Sequence, residues 1–163
     1  MKPSGIRKKF RKEFGKYIMN APDMCKSSEL TNPVVYDVEE IARKALKMQG
    51  KRCDEIVLCG GAHWTDIYLI ENKRVSEENK RAGENRNLRA SRVRRQLQGG
   101  ASLVEKRLDE DEEFLFKPVL VTEIPLPPAR RPAFLVRRVS VKNKKEIIKI
   151  LTKGEELPPL SSP

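Results

Sequence analysis

Apolar and polar positions along this chain follow two different periods, and the change from one to the other outlines its elements. Val38, Ile41, Ala42, Ala45 and Leu46 recur at i, i+3, i+4, i+7 and i+8, the spacing of one helical face. Asp37 stands at the N-cap, Glu40 lies in the first turn and Gly50 follows the last turn, so the pattern predicts a helix over 37–49. Glu55, Ile56, Val57, Leu58 and Cys59 then form a short run rich in strand formers, closed by Gly60 and Gly61. Residues 62–75 satisfy two templates. Trp64, Thr65, Ile67, Tyr68, Leu69 and Ile70 favour a strand, whereas Thr65 and Asp66 after a glycine turn also read as a helix start. Residues 76–98 are almost wholly polar. After Gly99 and Gly100, residues 101–108 read as a strand, the acidic run 109–113 as its turn, and 114–124 as the strongest strand signal in the chain. Pro118 cannot donate to a ladder, so it marks an edge, a bulge or the true start of that strand. Residues 125–132 read as a polyproline spacer, 134–141 as a further strand, 144–151 as a short helix and 157–163 as a tail.

The first twenty residues carry a second helical stripe, Ile6, Phe10, Phe14, Tyr17 and Ile18, among Arg7, Lys8, Lys9, Arg11, Lys12 and Lys16. Three uses of such a segment are open: docking on a protein or RNA partner, lying on an anionic membrane, or serving as a mitochondrial presequence. Glu13 and the lysine-heavy composition weigh against the presequence, and docking is the expectation.

Charge changes the picture more than hydropathy does. The 163 residues hold 34 Lys and Arg against 23 Asp and Glu, a net +11 with a pI near 9.7. Such a surface attracts a polyanion by releasing its counterions, which points to a phosphate backbone. The excess is clustered. Residues 80–98 contain Lys80, Arg81, Arg86, Arg89, Arg92, Arg94 and Arg95 against Glu84, and further clusters lie at 7–16 and 130–138, the latter including Arg130 and Arg131. Arginine suits phosphate because its planar fork binds bidentately and stays charged. The composition is 38% hydrophobic and 6% aromatic, so the expected core is small.

Little in the chain can build a catalytic or metal centre. His63 is the single histidine, and no Ser, Cys or carboxylate arrangement is implied around it. Cys25, Cys53 and Cys59 have no CxxC spacing, so they are read as reduced, packed thiols in a reducing compartment. Gly60 and Gly61 lack the Gly-Lys-Ser/Thr of a P-loop. The expectation is no catalytic residue, no metal and no cofactor. No run approaches the ~20 apolar residues of a membrane span, and the N-terminus lacks a secretory h-region. The glycine turn offers backbone amides to an anion, and Trp64 beside it is a surface on which an unpaired base can stack or a residue for core or subunit packing.

The order of helix 37–49, strand 55–59, glycine turn, a helix from 64 and strands at about 101–108 and 115–124 resembles the Alba fold. The stretches 55–63 (Glu-Ile-Val-Leu-Cys-Gly-Gly-Ala-His) and 116–122 (Phe-Lys-Pro-Val-Leu-Val-Thr) look like the small Alba-like subunits of eukaryotic, especially fungal, ribonuclease P and ribonuclease MRP. The resemblance covers roughly 37–124. It implies an α+β sandwich of a mostly four-stranded sheet with two helices, heterodimerisation with a second Alba-like subunit, and non-catalytic clamping of structured RNA in a nuclear or nucleolar particle that processes tRNA and rRNA. Archaeal Alba proteins carry a lysine soon after the glycine turn, where Trp64, Thr65 and Asp66 stand here, so that contact is not carried over. A second resemblance, to ribosomal silencing factors, rests on Ala45-Leu46, on 54–58 and on 65–70. It makes 66–70 a strand and lacks the family's later tryptophan segment.

These readings divide the chain into a basic extension 1–33, a core 34–124 with a basic insertion at about 76–98, and a Pro-rich extension 125–163. They place RNA contacts at Arg7, Lys8, Lys9, Arg11, Lys12, Gly60, Gly61, His63, Trp64, Arg86, Arg89, Arg92, Arg94, Arg95, Arg130 and Arg131. The alternatives are a ribosomal or ribosome-associated protein, mitochondrial or otherwise, and a membrane-surface viral matrix or accessory protein.

Overall fold

The computed structural model describes residues 5–20, 23–25, 29–47, 49–74 and 89–160. The chain is an α+β protein, as expected, but its main sheet has six strands instead of four. Helix α1 (Gly5–Phe14) leads through a 3₁₀ turn into β1 (Ile18–Met19). Strand β2 (Val34–Asp37), which the hydropathy pattern missed, runs into the short helix α2 (Val38–Glu40), continued by a π-helical turn (Ile41–Ala45). Asp37 caps α2 as predicted, accepting from the Glu40 amide at 3.2 Å. Then come β3 (Glu55–Cys59), β4 (Thr65–Lys73), helix α3 (Ala90–Glu105), β5 (Phe114–Thr122), helix α4 (Arg131–Leu135), β6 (Arg138–Val141), β7 (Lys144–Ile147) and β8 (Lys149–Thr152). The sheet order is β1-β2-β3-β4-β5-β8, and β6 and β7 form a separate hairpin. The pairs from β1 to β4 are antiparallel, whereas β4-β5 and β5-β8 are parallel.

Residues 65–73 are therefore a strand, and they lie between β3 and β5. Both faces of the sheet are covered, which is why Ile56, Val57, Leu58 and Cys59 are all buried and show no alternation. One face packs on α1, α2, α3 and the β6-β7 hairpin. The other is closed by a smaller cluster in which Cys25, Leu30 and Leu157 cover Val57, Tyr68 and Val119.

Residues 101–108 are not a strand. Their apolar positions continue the helical face Val93, Leu97, Gly100, Ala101 and Val104 of α3. The glycines read as a break instead let the helix approach the sheet closely. A Cβ on Gly99 would stand 2.0 Å from the Lys51 carbonyl oxygen, and one on Gly100 2.3 Å from Cys53 Sγ. The helix expected at 144–151 is two strands, β7 and β8, because Ile148, Ile150 and Leu151 reach the sheet and its flanking layer. The strand expected at 134–141 begins as α4, and the polyproline spacer packs Leu126 into the core before a 3₁₀ turn at Pro128–Arg130. Pro118 pairs with Leu69 on the β4 side and stands one residue outside the ladder with β8, where its missing N–H leaves no gap.

Domain boundaries at 33 and 124 do not separate packing units. Ile6, Phe10 and Phe14 from the first segment and Val139, Val141 and Ile148 from the last share one buried cluster with β3, β4 and α3.

Candidate nucleic-acid interface

The apolar stripe of α1 faces its own sheet. Ile6, Phe10 and Phe14 are each 0% exposed. The Phe10 ring meets Phe14 and Tyr36 edge to face, both at 5.1 Å between centroids. The Arg107 guanidinium lies 4.8 Å from the Phe14 centroid and pairs with Glu13 at 2.6 Å. At the helix start, the Glu112 carboxylate accepts from the Ile6 amide at 3.1 and 3.0 Å, which satisfies an orphan donor and complements the dipole. The stripe therefore docks within the chain and is not offered to a membrane or partner.

Burying that stripe fixes the cationic residues outward. Arg7, Lys8, Arg11 and Lys12 line a groove of about 380 Å³ with Asn32, Val34, Tyr36 and Leu58. Lys8, Arg11 and Lys12 are exposed. Arg7 has a structural task, donating to the Gly60 carbonyl at 3.1 Å and to the Gly61 carbonyl. Lys9 turns the other way, to Asp109 at 2.6 Å.

The glycine turn is built differently from the anion site expected of it. The Gly60 amide donates to the Thr31 carbonyl at 2.9 Å, and both glycine carbonyls accept from Arg7. Gly60 has φ +137°, and a Cβ on Gly61 would stand 2.2 Å from the Trp64 ring, so the pair exists to seat that indole. His63 lines a hollow with Gly5, Asp109, Asp111, Glu112 and Glu113, and Trp64 lines a larger groove that includes Glu112 and Glu113. Carboxylates at this density repel phosphate. Gly60 and Gly61 leave the RNA-contact set because the Gly60 amide is taken up by Thr31 and both carbonyls by Arg7, and His63 and Trp64 fall away from it because of these carboxylates. The sequence hid this because the acidic run at 109–113 is nearly fifty residues from the turn.

A second basic surface gathers around the start of α3. Arg89 is its exposed N-cap, and Arg92 and Arg95 lie close to Lys51. Loss of solvation, then the fields of Arg92, Arg95 and Lys73, lower the Lys51 pKa. Lys51 was missed in the sequence because, with Arg52, it forms only a short pair in a loop far along the chain from Arg92 and Arg95. Arg94 Nε donates to the Arg138 carbonyl at 3.1 Å, and α3 packs on α4, which is preceded by Arg130 and begins at Arg131, both half-buried. Arg86 lies outside the described residues. By contrast, α1 is held through Glu13 by Arg107, which stands in the turn that follows α3, at the opposite end of that helix from Arg92.

Three acidic groups, Asp54, Glu55 and Glu71, are drawn together where β3 starts and β4 ends. Burial, then the Asp54 carboxylate, push Glu71 up to about 7 against the Lys73 ammonium 2.8 Å away. Glu71 Oε1 meets no donor, and the Asp54 carboxylate is the acidic neighbour that adds to the rise. A carboxyl group raised in this way binds its proton more tightly folded than unfolded. Stability is then greatest below pH 4.5 for this group and falls as pH rises towards 7. The full difference is at most about 3 kcal/mol. Glu71→Gln is expected to flatten this fall when unfolding free energy is measured by denaturant from pH 5 to pH 8. An unchanged slope would remove Glu71 from the explanation. Burial also pushes the Cys25 and Cys59 thiols up to about 12 and raises Cys53, so all three free cysteines are held as thiols.

Among the described residues no three His, Cys, Asp or Glu side chains gather in a way that could hold a metal ion, and no helix is long and apolar enough to cross a membrane. What the fold and this surface define is an α+β protein with a rigidly presented cationic helix. Comparison with protein-family models, curated proteins and solved structures finds no match for the chain.

Proposed function

We propose that the chain is a non-catalytic RNA-binding protein that holds structured RNA on the exposed face of α1 and works within a larger ribonucleoprotein. The observation that supports this most is the groove lined by Arg7, Lys8, Arg11 and Lys12 on a helix whose other face is locked by Phe10 and Phe14. A preorganised cationic face binds phosphates without first ordering itself, so little of the electrostatic gain is lost. The α3 surface of Arg89, Arg92, Arg95 and Lys51 supplies a second contact region on a different element.

The Alba-like heterodimer is not part of this reading. That fold needs a helix after the glycine turn, where β4 stands here, and a strand at 101–108, where α3 stands. Membrane binding through residues 6–18 is set aside too, because Ile6, Phe10 and Phe14 are spent on the core. Ribosome association remains as a second reading, favoured by strand β4 over residues 66–70, and a nuclear, nucleolar or mitochondrial location is compatible with either.

Titrating a hairpin RNA against salt tests the proposal. With three phosphates held by Lys8, Arg11 and Lys12, log Kobs should fall with log salt at a slope of about −2 to −3, steeper if the α3 surface joins. Affinity that ignores ionic strength would overturn the phosphate-based reading.

A further inference from the structure

The groove at Trp64 reverses the character of the molecule around it. The chain carries net +11, yet this cavity of about 1110 Å³ is rimmed by Glu29, Asp66, Glu112 and Glu113 with Lys144 as the one cation among its lining residues. Its walls are apolar. Leu30 and Phe114 are buried beneath it, while Trp64 at 36% and Leu115 at 41% exposure remain open to solvent. Lys144 shows what such a site accepts: its ammonium sits 4.5 Å from the Phe114 ring centroid and donates to the Phe114 carbonyl. The groove thus suits a segment that offers an apolar side chain beside positive charge.

The chain displays such a segment elsewhere. Leu135 and Val136, at the end of α4, are 41% and 75% exposed, and Val136 is the most exposed large apolar residue among those described. Exposed Arg137 and Arg138 follow directly. The backbone here is already held: the Val136 amide donates to Pro132 at 3.2 Å, the Arg137 amide to Phe134 at 3.1 Å, and the Arg138 carbonyl accepts from Arg94. Docking it would cost little conformational entropy. It does not fill its own groove: Val136 is left exposed, and none of residues 135–138 lines the groove.

We infer that copies of this protein associate head to tail, with the apolar and basic segment 135–138 of one copy seated in the acidic groove beside Trp64 of the next. Two different patches meet in this contact, so it is heterologous and can propagate beyond a dimer. Val136 would lie against Trp64 and Leu115, and Arg137 would face Glu113, at a surface other than the α1 groove. The inference does not depend on RNA binding.

The experiment uses the full chain, freed of nucleic acid by nuclease and a high-salt wash so that RNA cannot bridge copies. Molar mass is followed by sedimentation across the micromolar range, together with emission of Trp64, the single tryptophan. Wild-type mass should climb above 18.7 kDa with concentration, emission should shift to the blue, and added salt should reverse both. Val136→Asp removes the inserted side chain, and Glu113→Arg reverses the rim. Both positions are exposed, so folding, checked by thermal melting, should be unchanged. Each variant alone should associate about tenfold more weakly or worse. Mixed in equal amounts they should form a 1:1 dimer and stop there, since one variant keeps an intact groove and the other an intact segment. A wild-type chain that stays monomeric overturns the inference, as does undiminished association of either variant or a mixture no heavier than its components.

Discussion

Phe10→Ala should lower the unfolding free energy by about 3–5 kcal/mol, the range for emptying an aromatic site in a packed core. Phe10 is 0% exposed and touches both Phe14 and Tyr36 edge to face. The cavity would open between α1 and the sheet, beside a helix that cannot collapse inward without breaking the Glu112 contact at its start and the Arg7 bonds to the glycine turn. Lys8→Ala, one turn-face away and exposed, should change stability by about 0.5 kcal/mol or less. Denaturant unfolding of the two variants measures the contrast. A small loss at Phe10 would mean that residues 5–14 form a detachable arm. The stability penalty should also appear as weaker RNA binding, because the cationic face is held in place by the stripe beneath it.

Reversing Lys8, Arg11 and Lys12 together to glutamate should reduce affinity for a hairpin RNA by about two orders of magnitude or more at low salt. It should also flatten the dependence of log Kobs on log salt by about 2 to 3. All three side chains are solvent-exposed, and no apolar contact of the core is lost, so the variant should remain folded. Arg7 is left out because it braces Gly60 and Gly61. Filter binding or fluorescence anisotropy over a salt series gives both readouts. Full affinity in this variant would move the RNA site off α1, and the same series on Arg92→Glu with Arg95→Glu would then report on the α3 surface.

Several features of the candidate site could be read in the linear chain. The stripe Ile6, Phe10, Phe14 predicted an amphipathic helix with its cations on the opposite side, and that helix is α1. The pattern could not say what the stripe covers, because Tyr36, its partner, lies on a strand too short and too mixed to register. The cluster at Arg92 to Arg95 was visible as composition, but its Lys51 neighbour was not, since the two meet through the close approach of Gly99 to the 51–52 backbone. The acidic environment of Trp64 was invisible for the same reason, being made by β4 and the start of β5 as parallel neighbours.

By itself the sequence determined the mixed α+β class, the strands at 55–59 and 114–122, the cap at Asp37 and the clustering of positive charge, all of which depend on neighbours a few residues apart. The tertiary structure alone decided that residues 65–73 are a strand, that Gly99 and Gly100 lie inside a helix and that 144–152 pair as strands. It also decided that Arg7 binds the carbonyls of the glycine turn while His63 and Trp64 beyond it face carboxylates. In each case local propensity was nearly balanced, and burial against a distant partner supplied the difference. An isolated glycine pair disfavours a helix by about 1 kcal/mol per residue, which a tightly packed helix face readily outweighs.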